Sequence, residues 1–201
     1  GYLKVKQVDY RGITREPWYT LDITNVETLS MFTTMFRDWF QNQDTNYGYF
    51  IKALIEGDLE AMNYYMNKVA LATFSYFDVG SENGSDPEPE RFYHGFVLGL
   101  IAERSGIYMI RSNRESGFGR YDIMMIPQER ERYPAIIIEF KVCSRMKKET
   151  LEEAVQSALK QITEKNYDAE LFAQGIPAER IRHYGFAFEG KKVLIGQDEK
   201  V

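Results

Sequence analysis

Two acids and a lysine stand where a chain with only a fold to maintain would not place them. Glu139 interrupts the apolar run Ile136-Ile-Ile-Glu-Phe-Lys141, and Asp122 opens Asp122-Ile-Met-Met-Ile126 directly behind Gly117-Phe-Gly-Arg-Tyr121. In a strand, side chains at i and i+2 point to one face, so Glu139 and Lys141 project together. An acid and a lysine at the end of a buried strand lose hydration, which is unfavourable unless they pair or bind a cation. The residues therefore describe either an ion pair at a solvated strand end or a site built around a cation. Cys143 is the only cysteine, and His94 and His183 are the only histidines. Thiolate zinc clusters, intramolecular disulfides and all-histidine zinc sites are excluded, and any metal must sit mostly on oxygen.

The elements that must position these groups are legible in the pattern. Ala135 to Phe140 reads as a buried central strand, because Ile136-Ile137-Ile138 is a β-branched run without helical alternation. Ile107 to Ile110 and Tyr121 to Ile126 are two further strands. Lys148 to Tyr167 reads as a helix with Leu151, Val155, Leu159 and Ile162 on one face, and with Glu149, Glu152 and Glu153 near its start, where the helix dipole favours acids. Arg182 to Phe188 and Lys192 to Ile195 flank Glu189-Gly190-Lys191 as a hairpin. Ahead of them, Glu90 to Arg104 carries Phe92, Phe96, Val97, Leu100 and Ile101 at helical spacing, with Gly106 as its C-terminal stop.

The front of the chain has another character. Tyr2 to Val8 and Trp18 to Ile23 read as two strands of a hairpin. Val26, Leu29, Phe32, Thr33, Phe36 and Phe40 recur at helical steps from an N-cap at Thr24 or Asn25. The aromatic stripe Phe32, Phe36, Trp39 and Phe40 reads as core packing. A short helix around Phe50 to Ile55 and a longer one from Leu59 to Ala72 part near Gly57-Asp58. The polar stretch Gly80 to Pro89 is the one clear shift in composition, which sets residues 1–80 apart as a connector of hairpin and helices.

The protein has 201 residues, 44% hydrophobic, and a net charge of −5. That composition excludes disordered and low-complexity classes and speaks against binding nucleic acid by bulk electrostatics alone. Local basic clusters remain: Arg111, Arg114 and Arg120; Lys141, Arg145, Lys147 and Lys148; Arg180, Arg182, Lys191 and Lys192. Each alone reads as a solvated face. No uninterrupted apolar run approaches a membrane span, and the start Gly1-Tyr2-Leu3-Lys4 lacks a signal-peptide pattern, so a cytoplasmic location is expected.

Taken together, Glu90-Arg-Phe-Tyr-His94-Gly, Ser112-Asn-Arg-Glu-Ser-Gly-Phe-Gly-Arg-Tyr-Asp122, Ala135-Ile-Ile-Ile-Glu-Phe-Lys-Val142 and Ala158-Leu-Lys-Gln161-Ile resemble the PD-(D/E)XK nuclease superfamily. More closely, they resemble its family usually found behind an AAA-type ATPase-like domain. The resemblance covers about residues 86–196, and where the superfamily has Pro-Asp this chain has Tyr121-Asp122. It implies an α/β fold, a restriction-endonuclease-like mixed central sheet flanked by helices, behind the small N-terminal subdomain. It implies hydrolysis of nucleic acid, DNA favoured, with Mg²⁺ or Mn²⁺ held by Asp122, Glu139 and the Phe140 carbonyl. Lys141 would orient water or stabilise charge, and Gln161 would orient the lysine or the water. Glu90 would approach a second metal or a metal-bound water, and His94, Arg114, Arg120, Lys147 and Lys148 would contact the nucleic acid. No Gly-x-x-x-x-Gly-Lys-Ser/Thr loop occurs, so an ATPase partner would lie in the rest of a longer chain, of which the missing initiator Met suggests this is a fragment. The alternative is a non-catalytic interaction module that keeps the nuclease fold, a reading to which the acidic net charge lends support.

Overall fold

The computed structural model describes residues 3–11, 15–25, 27, 46–74, 88–143 and 148–198. The chain separates into two compact units, Gly1–Asp44 and Thr45–Val201. In the first, β1 (Leu3–Arg11) and β2 (Glu16–Ile23) pair antiparallel, from Leu3 opposite Ile23 to Arg11 opposite Glu16, with an irregularity between Val5 and Gln7. The expected hairpin is present with longer strands. The helix expected after Asn25, with its aromatic stripe, and the polar stretch from Gly80 to Pro87 lie outside the described residues.

The second unit opens with α1 (Asn46–Glu56) and α2 (Leu59–Thr73). They part where expected: Gly57 has φ +83°, and Asp58 caps α2 by accepting the Ala61 N–H at 2.9 Å. Composition groups these helices with the front of the chain, but their contacts place them in the second unit, because their apolar residues, among them Phe50, Leu54, Met62 and Met66, are buried there. Then come α3 (Glu88–Ala102), β3 (Tyr108–Ser116), β4 (Gly119–Pro127), β5 (Ala135–Val142), α4 (Leu151–Glu164), α5 (Ala169–Ala173), β6 (Ile181–Glu189) and β7 (Lys192–Gln197). Gly106 is not the stop of α3 itself, since Glu103–Gly106 forms a separate 3₁₀ turn. Helix α4 is shorter than the apolar pattern suggests, beginning behind Thr150, where Thr150 and Glu153 form a reciprocal capping box.

The five strands lie in the order β3-β4-β5-β6-β7. Only β5 and β6 are parallel, and α4 and α5 make the crossover between them. Central β5 is covered on both faces. Ala135 and Ile137 join the core under α4 with Val155, Leu159, Ile162 and Ile181. On the opposite face an aromatic layer contains Phe140, Phe186 and Phe188, with Tyr93 of α3 stacked on Phe188 at 4.1 Å between ring centroids and Phe50 of α1 edge-on to Phe186.

Two local devices fix the flanking helices. Gly185 and Gly196 are cross-strand partners, and a Cβ at Gly185 would lie 2.8 Å from the Val155 carbonyl oxygen and one at Gly196 2.4 Å from the Val155 side chain. Bare backbone at this spot lets α4 settle directly onto the sheet. On the far edge, Asn63 and Asn67 of α2 each hold the backbone of β7 with a whole amide group. Asn63 Nδ2 donates to the Ile195 carbonyl and its Oδ1 accepts the Ile195 N–H, both at 2.8 Å; Asn67 does the same with Val193 at 2.7 and 3.0 Å. The match is geometric: residues i and i+4 rise about 6 Å along a helix, and residues i and i+2 about 6.8 Å along a strand.

Candidate active site

Strands β4 and β5 pair through Ile123 opposite Ile138, where their regular ladder ends. One step further, the same register sets Asp122 opposite Glu139, whose side chain is on the face that carries α4. Asp122 takes over the role of the lost ladder: its Oδ2 accepts the Phe140 N–H at 2.8 Å. Strand β5 continues along β6 as far as Val142 opposite Phe188, which carries Lys141 past the same opening.

The three predicted side chains and Gln161 come together here. Lys141 Nζ donates to Gln161 Oε1 at 2.8 Å and to Glu139 Oε1 at 3.1 Å, and Gln161 Nε2 also donates to Glu139 Oε1. Glu139 is 2% exposed, and its other oxygen, Oε2, is buried with no hydrogen-bond partner among the described residues. Burial, joined by the nearby Asp122 charge, pushes the Glu139 carboxyl up to about 7 despite Lys141. Burial also raises the Asp122 carboxyl, against the Phe140 N–H and the charges of His94 and Lys141. Two carboxylates that disfavour one another's charge, one with an orphaned oxygen, form a place with one positive charge too few. That is the condition a divalent cation relieves.

A supporting shell holds Gln161. Its Nε2 also donates to the Tyr167 hydroxyl at 3.1 Å, and that hydroxyl donates to the Arg120 carbonyl at 2.7 Å. Tyr167 follows α4 in the turn 165–168, which is tied to β3 by Ser116 Oγ donating to the Tyr167 carbonyl at 2.7 Å. Nearby, Glu170 pairs with Arg111 and accepts the Tyr121 hydroxyl. The sequence points to none of these contacts; a tyrosine just beyond an amphipathic helix looks like any core aromatic, as Tyr167 in part is.

His94 lies beside the site, tilted over the Phe140 ring. The Asn113 amide nitrogen lies 3.4 Å from its Nδ1, and its Nε2 lies 2.9 Å from Ser112 Oγ and 3.3 Å from the Asp122 carbonyl. Both ring nitrogens are thus engaged by the protein. Asn113 stands opposite Asp122 with φ +52°, a left-handed conformation asparagine tolerates. Glu90 is exposed, one helical turn before His94 on the same face. Arg114, Arg120 and Lys148 are exposed; Lys147 lies outside the described residues.

Among the described residues no helix is long and apolar enough to cross a membrane, and no group of three or more His, Cys, Asp or Glu converges as a metal site. Any cation here would rest on the two carboxylates, backbone carbonyls and water. A family model described as the PD-(D/E)XK nuclease superfamily matches residues 88–198, the stretch from α3 to the end of β7. No curated protein matches the chain.

Proposed function

The chain belongs to the PD-(D/E)XK nuclease superfamily, and on that premise we propose that it hydrolyses phosphodiester bonds of nucleic acid, DNA in preference to RNA, with Mg²⁺ or Mn²⁺. The observation that carries the reading is the buried Glu139 carboxylate beside Lys141, its Oε2 without a hydrogen-bond partner among the described residues, one register step beyond the β4–β5 ladder. Asp122, Glu139 and the Phe140 carbonyl are the groups that would hold the cation. When bound, such an ion supplies an activated water and counter-charge for the phosphoryl oxygens. The chain's own residues do the rest. Asp122, locked by the Phe140 N–H, presents its remaining oxygen in a fixed direction. Lys141, held by Gln161 and Glu139, keeps its ammonium at the mouth of the site, where it stabilises charge developing on the phosphate. Gln161, steadied by Tyr167, sets the position of both. An ATPase-like domain elsewhere in a longer chain belongs to the same reading; its support is the sequence resemblance alone.

The test is cleavage of plasmid, single-stranded DNA and RNA with each metal, beside calorimetric metal titration. Glu139→Gln keeps the shape and removes a ligand charge, so metal affinity and cleavage fall together while the metal-free melt holds. Lys141→Ala keeps metal binding and slows cleavage by on the order of 10² to 10³. A wild-type melt indifferent to millimolar Mg²⁺ and Mn²⁺, with no cleavage of any substrate, would remove the proposal.

A further inference from the structure

We propose that the tip of the β3–β4 hairpin is a stacking post for an unpaired base, so that the substrate is single-stranded, or opened, close to the cleaved bond. The inference rests on the nuclease reading above. Its starting point is Phe118, 80% exposed at the tip. Single exposed apolar residues are common on protein surfaces and need no explanation. This one differs in three respects.

The first is that its exposure is enforced. Ser116-Gly117-Phe118-Gly119 is a two-residue turn with φ +57° at Gly117, and its backbone is pressed onto the turn after α4. The Phe118 N–H donates to the Lys165 carbonyl at 2.7 Å, and a Cβ at Gly117 would lie 2.2 Å from the Lys165 and Asn166 carbonyl oxygens. With the tip pinned on that side, the ring is held out in water and presents its faces without further ordering.

The second is its company. Arg114 and Arg120, both exposed, stand on the two strands just below the tip. A ring to stack on, with guanidinium groups for the backbone phosphates, is the combination used for single strands, and Phe, which has no hydrogen-bonding group, reads no sequence. In an intact duplex the base faces are already stacked on their neighbours and cannot be offered.

The third is its connection. The backbone carbonyl of Arg120 accepts the Tyr167 hydroxyl, which holds Gln161, which holds Lys141 and Glu139. The post and the reacting centre therefore keep a fixed separation. Four strand residues, from Phe118 to Asp122, span about 13 Å, or about four stacked nucleotide steps.

The experiment uses oligonucleotides carrying 2-aminopurine at successive positions, as single strands and as blunt duplexes, with binding read by fluorescence anisotropy in the absence of divalent metal. Wild type is expected to quench 2-aminopurine at one or two positions within about four nucleotides of the bond later cut with Mg²⁺ or Mn²⁺. Phe118→Leu, which keeps apolar bulk but not the ring, should bind the single strand about tenfold more weakly, in line with one stacked base, and lose the quench. Its duplex binding should stay unchanged, and Phe118→Trp should restore both properties. If Phe118→Leu binds and cuts the single strand like wild type, loses affinity equally for duplex, or melts well below wild type, the stacking post is overturned while the nuclease reading stands. If wild type neither binds nor cuts any nucleic acid, both fall.

Discussion

A single hydrogen-bond chain, Arg120 carbonyl to Tyr167 to Gln161 to Lys141 and Glu139, links the backbone of β4 to the ammonium and carboxylate of β5. Burial holds the Tyr167 phenol above its ordinary range, so it stays a neutral donor throughout the useful pH interval. Of this cluster, Asp122, Glu139 and Lys141 were legible in the sequence because charge inside an apolar strand is itself a signal. Tyr167, Ser116 and Asn113 were not, because their roles depend on which turn faces which strand. The same holds for a second charged group. His183 of β6 lies between Asp168, at 2.7 Å from Nε2, and Asp198, at 2.5 Å from Nδ1. Burial alone would lower its pKa, but hydrogen bonds to the two carboxylates outweigh this and raise it from 6.5 to about 9. A raised pKa contributes stability that is complete below the unfolded value and disappears as pH rises through the folded one. Unfolding free energy is therefore expected to fall by roughly 2–3 kcal/mol between about pH 6.5 and pH 9, and His183→Gln should flatten that slope. Urea titrations across the range check it; a wild-type slope as flat as the variant's would contradict it.

Among the elements, α4 does most to shape the site, since Gln161 reaches Lys141 only because the helix lies close to the sheet. Strand and helix order was readable from periodicity, and the buried run of β5 identified the central strand. What periodicity could not show is how near two elements approach. That is set by Gly185 and Gly196, which as glycines in a hairpin look like ordinary weak points of strands. Gly185→Ala would push its Cβ against the Val155 carbonyl and the Ala158 methyl. Overpacking of this kind costs typically 1–3 kcal/mol, and here it lifts α4 from the neighbour of Glu139 in the β5–β6 register. We expect a lower melting temperature and a kcat reduced more than KM is raised, read from melts and steady-state cleavage. A variant that melts lower but turns over normally would show that Gln161 does not depend on this contact.

For the whole molecule, the division after Asp44 carries its own expectation. The strands and helices that carry Asp122, Glu139, Lys141 and Gln161 lie beyond it, as do α1 and α2, so a chain limited to Thr45–Val201 should fold cooperatively and bind metal as the full chain does. Circular dichroism melts and metal titration of both forms test this; an unfolded or molten fragment would place part of the core in the first 44 residues. Composition put the boundary near Gly80 because a polar, Gly- and Pro-rich stretch is conspicuous, whereas the burial of α1 and α2 under the sheet leaves no mark of that kind. The amide clamp of Asn63 and Asn67 gives the sheet two unequal borders. The β7 border is closed by a helix that imitates a strand's hydrogen bonding, and β3, at the other end of the strand order, has only β4 as a strand partner among the described residues. An open border at each end would let one copy's last strand add to the next copy's first, and such head-to-tail addition has no natural end. Two asparagine side chains thus remove one of the two borders that such open-ended addition through this sheet would need.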